Sequence, residues 1–497
     1  MVQQELKKKL GFWSCLSVGV GLVVASSTLI TLGQGAGIAG AGFIIAMFCA
    51  WVLQHFSAQS YAELACMMPS AGGIRSYTRV AMGALPAVVA TISGFVIPNL
   101  LAAPTELAVA STMLSENFTS IFPPIFWGVM LLVIIMATNI IGIDIFAKFQ
   151  IVFTVTMMVI LTALGVIGLM GLGRVAPTLP EMPFNPMGWD VLGLTAMAVW
   201  LYIGIEYVCP LAEETVNPGK NLPRAMIIGL LLIFGVNIIY MFASLKYVPM
   251  GDLFSSNTPH LLVAEAILGK EGLQLFAIVS ISASLSTLNT VIGVVPRILY
   301  GMGINRELPR FFGYIHKNFR TPVYGILFMC AATALFFVGG VAEAENLIIF
   351  IMAACCSWFL CYIIAHVNVI ILRKRYPDVK RPYRTTFYPV PQIVGIIGMV
   401  YCILHIAPLP ELAAPIYKIA GAMLLMAAAY AVLWLKYVTR TKLFSPLSMD
   451  EARQEWDLET RMEDVDIEPA GTYEGADADL AGYRVKAESL KKDNPHA

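Results

Sequence analysis

Two carboxylates, Glu106 and Glu206, stand inside long apolar stretches of this sequence. A carboxylate can bind a cation or exchange a proton, and placing one at membrane depth costs about 2.5–3.5 kcal/mol on insertion scales. Glu206 follows Trp200 and Gly204 in the chain, and Pro210 comes one turn later. A carboxylate at membrane depth within a segment of helix-weakening residues predicts a functional site in the membrane.

Other interpretations of these residues stay open at the sequence level. Glu106 follows Pro104 near the end of its apolar run, so it is alternatively an interfacial carboxylate in contact with water. Trp200 is alternatively a core packing residue. Asn99 is a candidate binding residue or the donor of a hydrogen bond between helices.

The backbone has two predicted weak points. Pro210 lacks a backbone donor and Gly204 tolerates non-helical angles, so the helix that carries Glu206 is expected to be interrupted. A matching segment near the N-terminus contains four small residues whose hydroxyl groups compete for backbone groups, namely Ala25, Ser26, Ser27 and Thr28. Unwound backbone in a membrane lines a cavity or is buried in protein. Simple kinks for packing are the alternative.

The composition makes a lipid bilayer the solvent for most of the chain. The 497 residues are 58% hydrophobic and only 13% charged, against about 25% charged in ordinary soluble domains. Nucleic-acid binding and extensive disorder both require far more charge. We therefore expect an all-α integral membrane protein and no nucleic-acid partner.

Uncharged runs predict twelve transmembrane helices. Lys9 and Glu63 enclose a run too long for one crossing of a core about 30 Å thick, and the glycines at 33, 35 and 37 are expected to divide it. The predicted spans are 12–33, 38–60, 80–105, 117–143, 149–173, 191–212, 225–245, 272–296, 321–342, 346–372, 385–410 and 419–435.

Basic residues predict the orientation. With twelve spans both termini share one side, whose loops carry 21 Lys and Arg residues, without Arg297 at the end of the eighth span, against 4 on the other side. The positive-inside rule therefore predicts cytoplasmic termini, most simply in a plasma (inner) membrane. The predicted transporter-like bundle covers residues 1–443, and residues 444–497 form an acidic cytoplasmic tail that we expect to be flexible and that is able to fold back on the basic loops.

The sequence contains few signs of an enzyme active site. Six His residues are scattered without metal-ligand spacing, nine Cys residues lie in or beside predicted spans, and Gly-x-Ser-x-Gly and His-Glu-x-x-His motifs are missing. No cofactor or metal site is predicted. A channel remains a further alternative, although a channel does not need two matched broken helices.

Four stretches resemble the amino acid-polyamine-organocation (APC) transporters, in the expected order along the chain. The strongest resembles the signature after the sixth helix of that family, with Glu-Glu at 213–214, Asn-Pro at 217–218, Pro223 and Ala225. The other three stretches are similar to the start of the first helix, the loop after the second and the end of the eighth; they are residues 9–13, 61–73 and 297–309.

The resemblance implies a leucine-transporter-like five-plus-five inverted repeat with discontinuous helices 1 and 6. The repeats would cover 12–172 and 188–372, followed by peripheral helices within 390–436. In the family, backbone amides of an unwound Gly-Ser-Gly in helix one meet the substrate carboxylate, and carbonyls of helix six meet its ammonium group. Here Ala25-Ser26-Ser27 replaces the Gly-Ser-Gly, which makes an atypical substrate such as an amine an alternative.

Within the APC family, helix six is more similar to the arginine/agmatine antiporter branch than to the other members. This similarity implies that Trp200 covers the substrate, that Glu206 senses a proton or cation, and that Asn99 lines the site. Together with the two weak points, the implied substrate-binding residues are Ala25, Ser26, Ser27, Thr28, Asn99, Trp200, Tyr202, Gly204 and Glu206.

The coupling ion is left open between a proton, sodium and no ion. Glu206 is the candidate for a proton, and hydroxyl oxygens of Ser284, Ser286 and Thr287 are candidates for sodium. Small polar residues also let helices pack closely, so these three have a structural alternative. The predicted function is secondary active transport, as symport or exchange, of an amino acid or related amine by alternating access. A polyamine or organocation carrier is the alternative, and the oligomeric state is not predicted.

Overall fold

The fold is known from a computed structural model, which describes residues 10–70, 72–118, 121–174, 184–339 and 347–452. Every regular element in these ranges is helical, and the isolated bridge between Leu10 and Thr215 is their one β-type pairing. A chain in hydrocarbon must satisfy its backbone groups internally, and helices do so within each segment. The predicted all-α class is confirmed.

The first half of the bundle contains eight α-helices. They are α1 (Phe12–Val23), α2 (Ser26–Ala39), α3 (Phe43–Met67), α4 (Ile74–Ala81), α5 (Ala84–Thr91), α6 (Ile97–Asn117), α7 (Pro124–Ile141) and α8 (Ile143–Leu169). A π-helical turn, Ile92–Val96, joins α5 to α6 in one continuous span.

The second half begins with a sixth span built of short pieces. Its 3₁₀ turns Gly188–Leu194, Trp200–Tyr202 and Ile205–Leu211 flank α9 (Thr195–Val199). The later helices are α10 (Pro218–Tyr247), α11 (Met250–Ser255), α12 (Pro259–Leu268), α13 (Lys270–Ile304), α14 (Val323–Val338), α15 (Leu347–Arg375), α16 (Val390–Leu404) and α17 (Ala413–Leu433).

Nine helical stretches in the described part of the chain are long and apolar enough to cross a membrane. One of them, Ser26–Met67, contains two helices, and the shorter apolar helices α14 and α16 supply two further spans. With α1 and α2 counted as one interrupted span, these helices correspond to the twelve predicted spans. Exposed large apolar side chains on the outer helices, such as Val152, Leu335 and Leu425, suit contact with lipid.

The expected break at Gly33, Gly35 and Gly37 is wrong. Helix α2 continues through all three to Ala39, and the chain turns at Gly40–Gly42, where Gly40 has a φ of 58°. A Cβ atom on Gly37 would lie 2.5 Å from the backbone nitrogen of Phe254. These glycines therefore allow α2 to pack closely against its neighbours, and they do not end the helix.

One end of the bundle, here called the N-terminal face, is closed by buried ion pairs. Arg75 and Glu307 are joined by hydrogen bonds of 2.7 and 3.2 Å, and their side chains are 2% and 5% exposed. Glu63 accepts hydrogen bonds from Arg373 at 2.6–2.7 Å, and Arg381 lies 3.3 Å away. The contacts of Glu63 tie the second span, α3, to the end of α15 and to the segment after it.

The opposite face is more open. Its described ion pair, between Arg174 and Glu271, is more than 60% exposed on both sides. A cavity of about 290 Å³ lies between α2, α11, α15 and the turn before α17. Thr31 lines this cavity and donates a hydrogen bond to the carbonyl of Ser27, so the cavity ends one turn from the start of α2.

The first residues of the predicted acidic tail pack on the N-terminal face. Arg79 donates to the carbonyl of Ser445 at 2.9 Å, and the amide of Leu447 donates to the carbonyl of Arg79 at 3.2 Å. Met449 and Ala452 are buried. The rest of the predicted tail, 453–497, lies outside the described residues. The same holds for the lysines at 7–9, which contribute to the predicted orientation.

Candidate functional site

The first span is interrupted where small residues predicted a weak point. Val24 has a ψ of 77° and Ala25 is extended, so α1 ends at Val23 and α2 starts afresh at Ser26. The hydroxyl of Thr28 donates to the carbonyl of Ala25 at 2.6 Å, which stabilises the new first turn. Of the four expected residues, Ala25 lies in the break and the other three form the first turn of α2.

The sixth span is interrupted at Ile203 and Gly204. Ile203 is extended with a ψ of 136°, and Gly204 has a φ of 109°, a conformation that favours glycine. A Cβ atom on Gly204 would lie 2.7 Å from the side chain of Leu22, near the end of α1. The two interruptions therefore face each other inside the bundle.

Glu206 lies directly after the break and is only 1% exposed. It accepts hydrogen bonds from the hydroxyl of Tyr362 at 3.0 Å and from the amide of Gly204 at 3.2 Å. Within the described ranges its hydrogen-bond partners include no Lys or Arg side chain. A buried carboxylate is normally paired with a positive charge, so the missing basic partner among the described residues leaves Glu206 available for a proton or an external cation.

Aromatic rings cluster around Tyr207, the residue after Glu206. The rings of Trp200 and Trp358 lie 5.8 Å apart, and Tyr207 lies 6.4 Å from Trp358 and 4.7 Å from Phe95. The indole nitrogens of Trp200 and Trp358 are buried and have no hydrogen-bond partner among the residues that the structure describes. Sequence reasoning missed Trp358, Tyr207 and Tyr362, because a buried aromatic residue in an apolar helix has the same local pattern wherever it faces.

Two expected binding residues have other contacts. The side-chain amide of Asn99 donates to the hydroxyl of Tyr207 at 2.5 Å and to the carbonyl of Phe95 at 2.6 Å, which is the hydrogen bond between helices considered above. Tyr202 is buried, and its ring lies 6.4 Å from Phe234 of α10. Asn99 thus orients Tyr207 beside the site, and Tyr202 faces α10.

Glu106 lies at the other break and is 1% exposed. Its two carboxylate oxygens accept hydrogen bonds from the amides of Ser26 at 3.2 Å and Ser27 at 3.1 Å, and one accepts from the hydroxyl of Ser284 at 2.8 Å. The structure thus buries this residue, in contrast to the interfacial interpretation. Its position within an uncharged run was the signal in the sequence, but its partners are 79 or more residues away in the chain.

The hydroxyl groups expected to hold sodium are engaged with protein groups. Ser286 accepts a hydrogen bond of 2.7 Å from the side-chain amide of Gln150 and lies 3.3 Å from the hydroxyl of Thr154. Thr287 donates to the carbonyl of Leu22 at 3.2 Å. Ser284 contacts Glu106. Gln150 and Thr154 were missed, although polar residues within the apolar α8 were a usable signal.

No group of three or more metal-binding side chains occurs within the residues that the structure describes. The polar groups at the two breaks are instead amides, carbonyls, hydroxyls and two carboxylates. Such a set suits a small organic molecule with both donor and acceptor groups. The half-helix α2 directs the positive end of its dipole at the site, and C-terminal carbonyls of α1 lie beside it.

The sequence profile of the amino acid permease family matches residues 10–434. The branched-chain amino acid permease BcaP of Bacillus subtilis is 25% identical over 432 residues, which cover 81% of this chain and 89% of that protein. The large neutral amino acids transporter small subunit 2 of Mus musculus is 27% identical over 416 residues, covering 78% of this chain and 74% of that protein.

A solved structure shows the same fold. Mhp1, a nucleobase-cation-symport-1 family transporter in a closed conformation, aligns with a TM-score of 0.52 over 91% of this chain and 97% of its own, at 15% identity. The predicted inverted-repeat transporter fold and the APC resemblance are confirmed, and the resemblance to the arginine/agmatine branch stays a prediction. This chain is a multi-pass membrane protein and a secondary transporter, and it belongs to the amino acid permease family.

Proposed function

We propose that the protein carries an amino acid, or a related amine, through a site between the two helix breaks by alternating access. The observation that carries this proposal is the buried Glu206, which accepts hydrogen bonds from Tyr362 and Gly204 but has no basic partner in the described part of the bundle. A substrate ammonium group supplies the missing positive charge. The carbonyls exposed by the break at Ile203 provide further acceptors for it.

The aromatic residues next to Glu206 form the wall for the rest of the substrate. Trp200 and Trp358 have free indole N–H groups, and Tyr207 is held in place by Asn99. Trp200 covers the substrate in this proposal, and a cation close to its ring would gain about 0.5–2 kcal/mol. Gly204, Ala25 and the first turn of α2 complete the proposed binding set, and that turn lies opposite Glu206. Asn99 acts through Tyr207, and Tyr202 is not part of the set because it faces α10.

The N-terminal face of the bundle is closed more tightly than the opposite face, and this difference supports alternating access. Buried ion pairs, such as Arg75–Glu307, close the N-terminal face, and the 290 Å³ cavity leads inward from the other face. We propose that the repeats 12–172 and 188–372 rock around the site, with 390–436 as peripheral helices. The N-terminal face is cytoplasmic in this proposal and the membrane is the plasma (inner) membrane, because basic residues concentrate there.

Neutral amino acids are the first substrates to test. The relatives are named for branched-chain and large neutral amino acids, and the walls of the site are aromatic and apolar. Amines and polyamines are the second candidate class. The specific observation in their favour is that both breaks contain a carboxylate, Glu106 or Glu206, and that the described contacts of these two residues include no base.

A ligand screen followed by transport tests this proposal. Purified protein is heated with each of the proteinogenic amino acids and their decarboxylated amines, because a ligand that binds the native state raises the melting temperature. Uptake of each hit into proteoliposomes is then compared for the wild type, Glu206→Gln and Trp200→Ala. We expect Glu206→Gln to abolish uptake or its pH dependence, and Trp200→Ala to raise the apparent substrate constant.

The exposed Glu116→Gln is the matched control for loss of an acidic side chain. Its carboxylate lies near the end of α6, and it is expected to leave uptake unchanged. Unaltered uptake and pH profile in well-folded Glu206→Gln would refute the proposed role of this site.

A further inference from the structure

The start of α2 is already filled by a carboxylate of the protein. Glu106 accepts hydrogen bonds from the amides of Ser26 and Ser27, the first two residues of this 14-residue helix. These amides and the positive end of the helix dipole form the place where a carboxylate-bearing substrate would be bound. The hydroxyl of Ser27 is also buried there, close to Glu106, and makes no hydrogen bond of normal geometry to any described residue. A substrate carboxylate and Glu106 therefore compete for the same donors.

We infer that the carboxylate of an amino acid displaces Glu106 from the start of α2, and that Glu106 takes up one proton as it leaves. This inference rests on the proposed substrate site. The substrate carboxylate stays ionised and accepts the two amide hydrogen bonds. The proton is given up by a hydronium ion or a protonated buffer molecule of the solution that reaches the open cavity, and it forms an O–H bond on Glu106. One proton thus binds with each amino acid, and transport of the amino acid is coupled to protons.

The physical reason is the repulsion between two buried carboxylates. Two carboxylates that share a site do not both stay ionised, because each disfavours the charge of the other in a medium of low dielectric constant. The substrate carboxylate gains two amides and the dipole of α2. Glu106 would retain only Ser284 among its three present donors. The proton therefore goes to Glu106.

The hydrogen bond between Glu106 and Ser284 can persist in both charge states of Glu106. Ser284 lies 3.0 Å from the hydroxyl of Ser26, which donates to the carbonyl of Ser280 at 2.8 Å. When Glu106 is ionised, the hydroxyl of Ser284 donates to it. When Glu106 is protonated, it donates to Ser284, which in turn donates to Ser26. Turning the Ser284 hydroxyl group therefore keeps this contact while Glu106 moves away from the amides of Ser26 and Ser27.

Few other titratable groups face Glu106. Helices α2, α7 and α14, which pack against α6, contain no Asp, Glu, Lys, Arg or His, and α14 contributes Tyr324 and Cys330. The nearest charged residues along α13 are Glu271 and Arg297, each 13 positions from Ser284. The other titratable groups on nearby elements include His260, bonded to Ser280, Tyr207, bonded to Asn99, and Glu206. Helix α15 carries Cys355, Cys356, Cys361, Tyr362 and His366 and, in its last turn, Arg373, Lys374 and Arg375; α13 also carries Lys270 and Tyr300, and α6 itself carries Glu116.

Calorimetry with two ligands tests the inference. L-leucine and 3-methylbutylamine have the same side chain, and the amine lacks the carboxylate. Each is titrated into detergent-solubilised wild-type protein in buffers of different ionisation enthalpy, which reports the protons taken up per ligand. We expect L-leucine to take up about one proton more than the amine, because two adjacent carboxylates do not both ionise. Any proton that Glu206 gives up to pair with the ammonium group is common to both ligands and cancels in this difference. The affinity for L-leucine, relative to that for the amine, should fall up to about tenfold per pH unit where Glu106 is ionised in the free protein.

Glu106→Gln should bind L-leucine and the amine with equal proton uptake and without this extra pH dependence, whereas Glu116→Gln should behave as wild type. Equal proton uptake by the two ligands on the wild type would overturn the inference, as would an undiminished difference in proton uptake between them in Glu106→Gln. Binding of the amine but not of L-leucine would also overturn the inference, because Glu106 would then stay hydrogen-bonded to the amides of Ser26 and Ser27. If Glu106→Gln folds poorly, the comparison of L-leucine with 3-methylbutylamine on the wild type still tests the inference. The proposed substrate site fails separately if Glu206→Gln leaves both affinities unchanged.

Discussion

The ion pair between Arg75 and Glu307 is expected to control opening at the N-terminal face. Arg75 lies in α4 and Glu307 follows α13, so separation of these elements must break the pair. Its two hydrogen bonds are buried. Removing one partner of a buried ion pair costs about 3–5 kcal/mol, because the other charge stays desolvated. Opening exposes Arg75 to water, so the penalty acts mainly on the closed state.

Glu307→Gln is the appropriate change because it removes the charge and keeps the shape and one acceptor. At the low end of that range, about 3 kcal/mol, the open population should rise by roughly 100-fold, since each 1.4 kcal/mol is a factor of ten. The control is Arg174→Gln on the opposite face. Arg174 and Glu271 are well exposed, and an exposed ion pair contributes little, so this change should leave the equilibrium unaltered.

Labelling of Cys66 measures the open population. This thiol is buried in α3 and donates to the carbonyl of Pro218, at the N-terminal face. Its rate of reaction with a maleimide, resolved by peptide mass spectrometry, should increase about 100-fold in Glu307→Gln, in proportion to the open population. An unchanged rate would refute the role of the pair as a closing contact. An equal rise at the fully buried Cys355 would show general loosening of the fold instead.

Three further predictions follow from the packing. Gly204→Ala should abolish transport, measured as uptake into proteoliposomes, because φ is 109° and the added methyl group would meet Leu22. Truncation after residue 452 should leave uptake and its salt response unchanged, whereas truncation after 442 should lower the melting temperature, because it removes the contacts to Arg79. Replacing sodium by choline should leave uptake unchanged. The side-chain amide of Gln150 donates a hydrogen bond to the hydroxyl oxygen of Ser286, and a sodium ion at this place would need that oxygen as a ligand.

The spans and the broken helices could be predicted because their signals are local. A run without charges reports a membrane helix by itself, and Gly204 with Pro210 indicates an interruption within one segment. The glycines of α2 misled the prediction for a physical reason. Glycine weakens a helix and also permits close approach of a neighbour, and the sequence around Gly37 does not tell these two uses apart. The neighbour, Phe254, is more than 200 residues away.

The partners of the polar side chains could not be predicted. Glu106 was recognisable as an acid in an apolar run, but its contact with Ser26 depends on how α6 crosses α2. Similarly, Gln150 and Asn289 share a hydrogen bond across 139 positions. The choice between a binding role and an interhelical hydrogen bond for Asn99 required the position of Tyr207. Tertiary packing decides which polar groups meet, and periodicity carries no information about it.

Glu106 also bears on how the empty carrier returns across the membrane. A buried amide without a partner costs about 1–3 kcal/mol, and an empty site would leave the amides of Ser26 and Ser27 in that condition. By accepting from both, Glu106 stabilises the empty form. Glu106→Ala should therefore slow net uptake, which needs the empty carrier to return, far more than exchange, which does not. Counterflow and net uptake of L-leucine in proteoliposomes separate the two, and an equal loss of both would contradict this role.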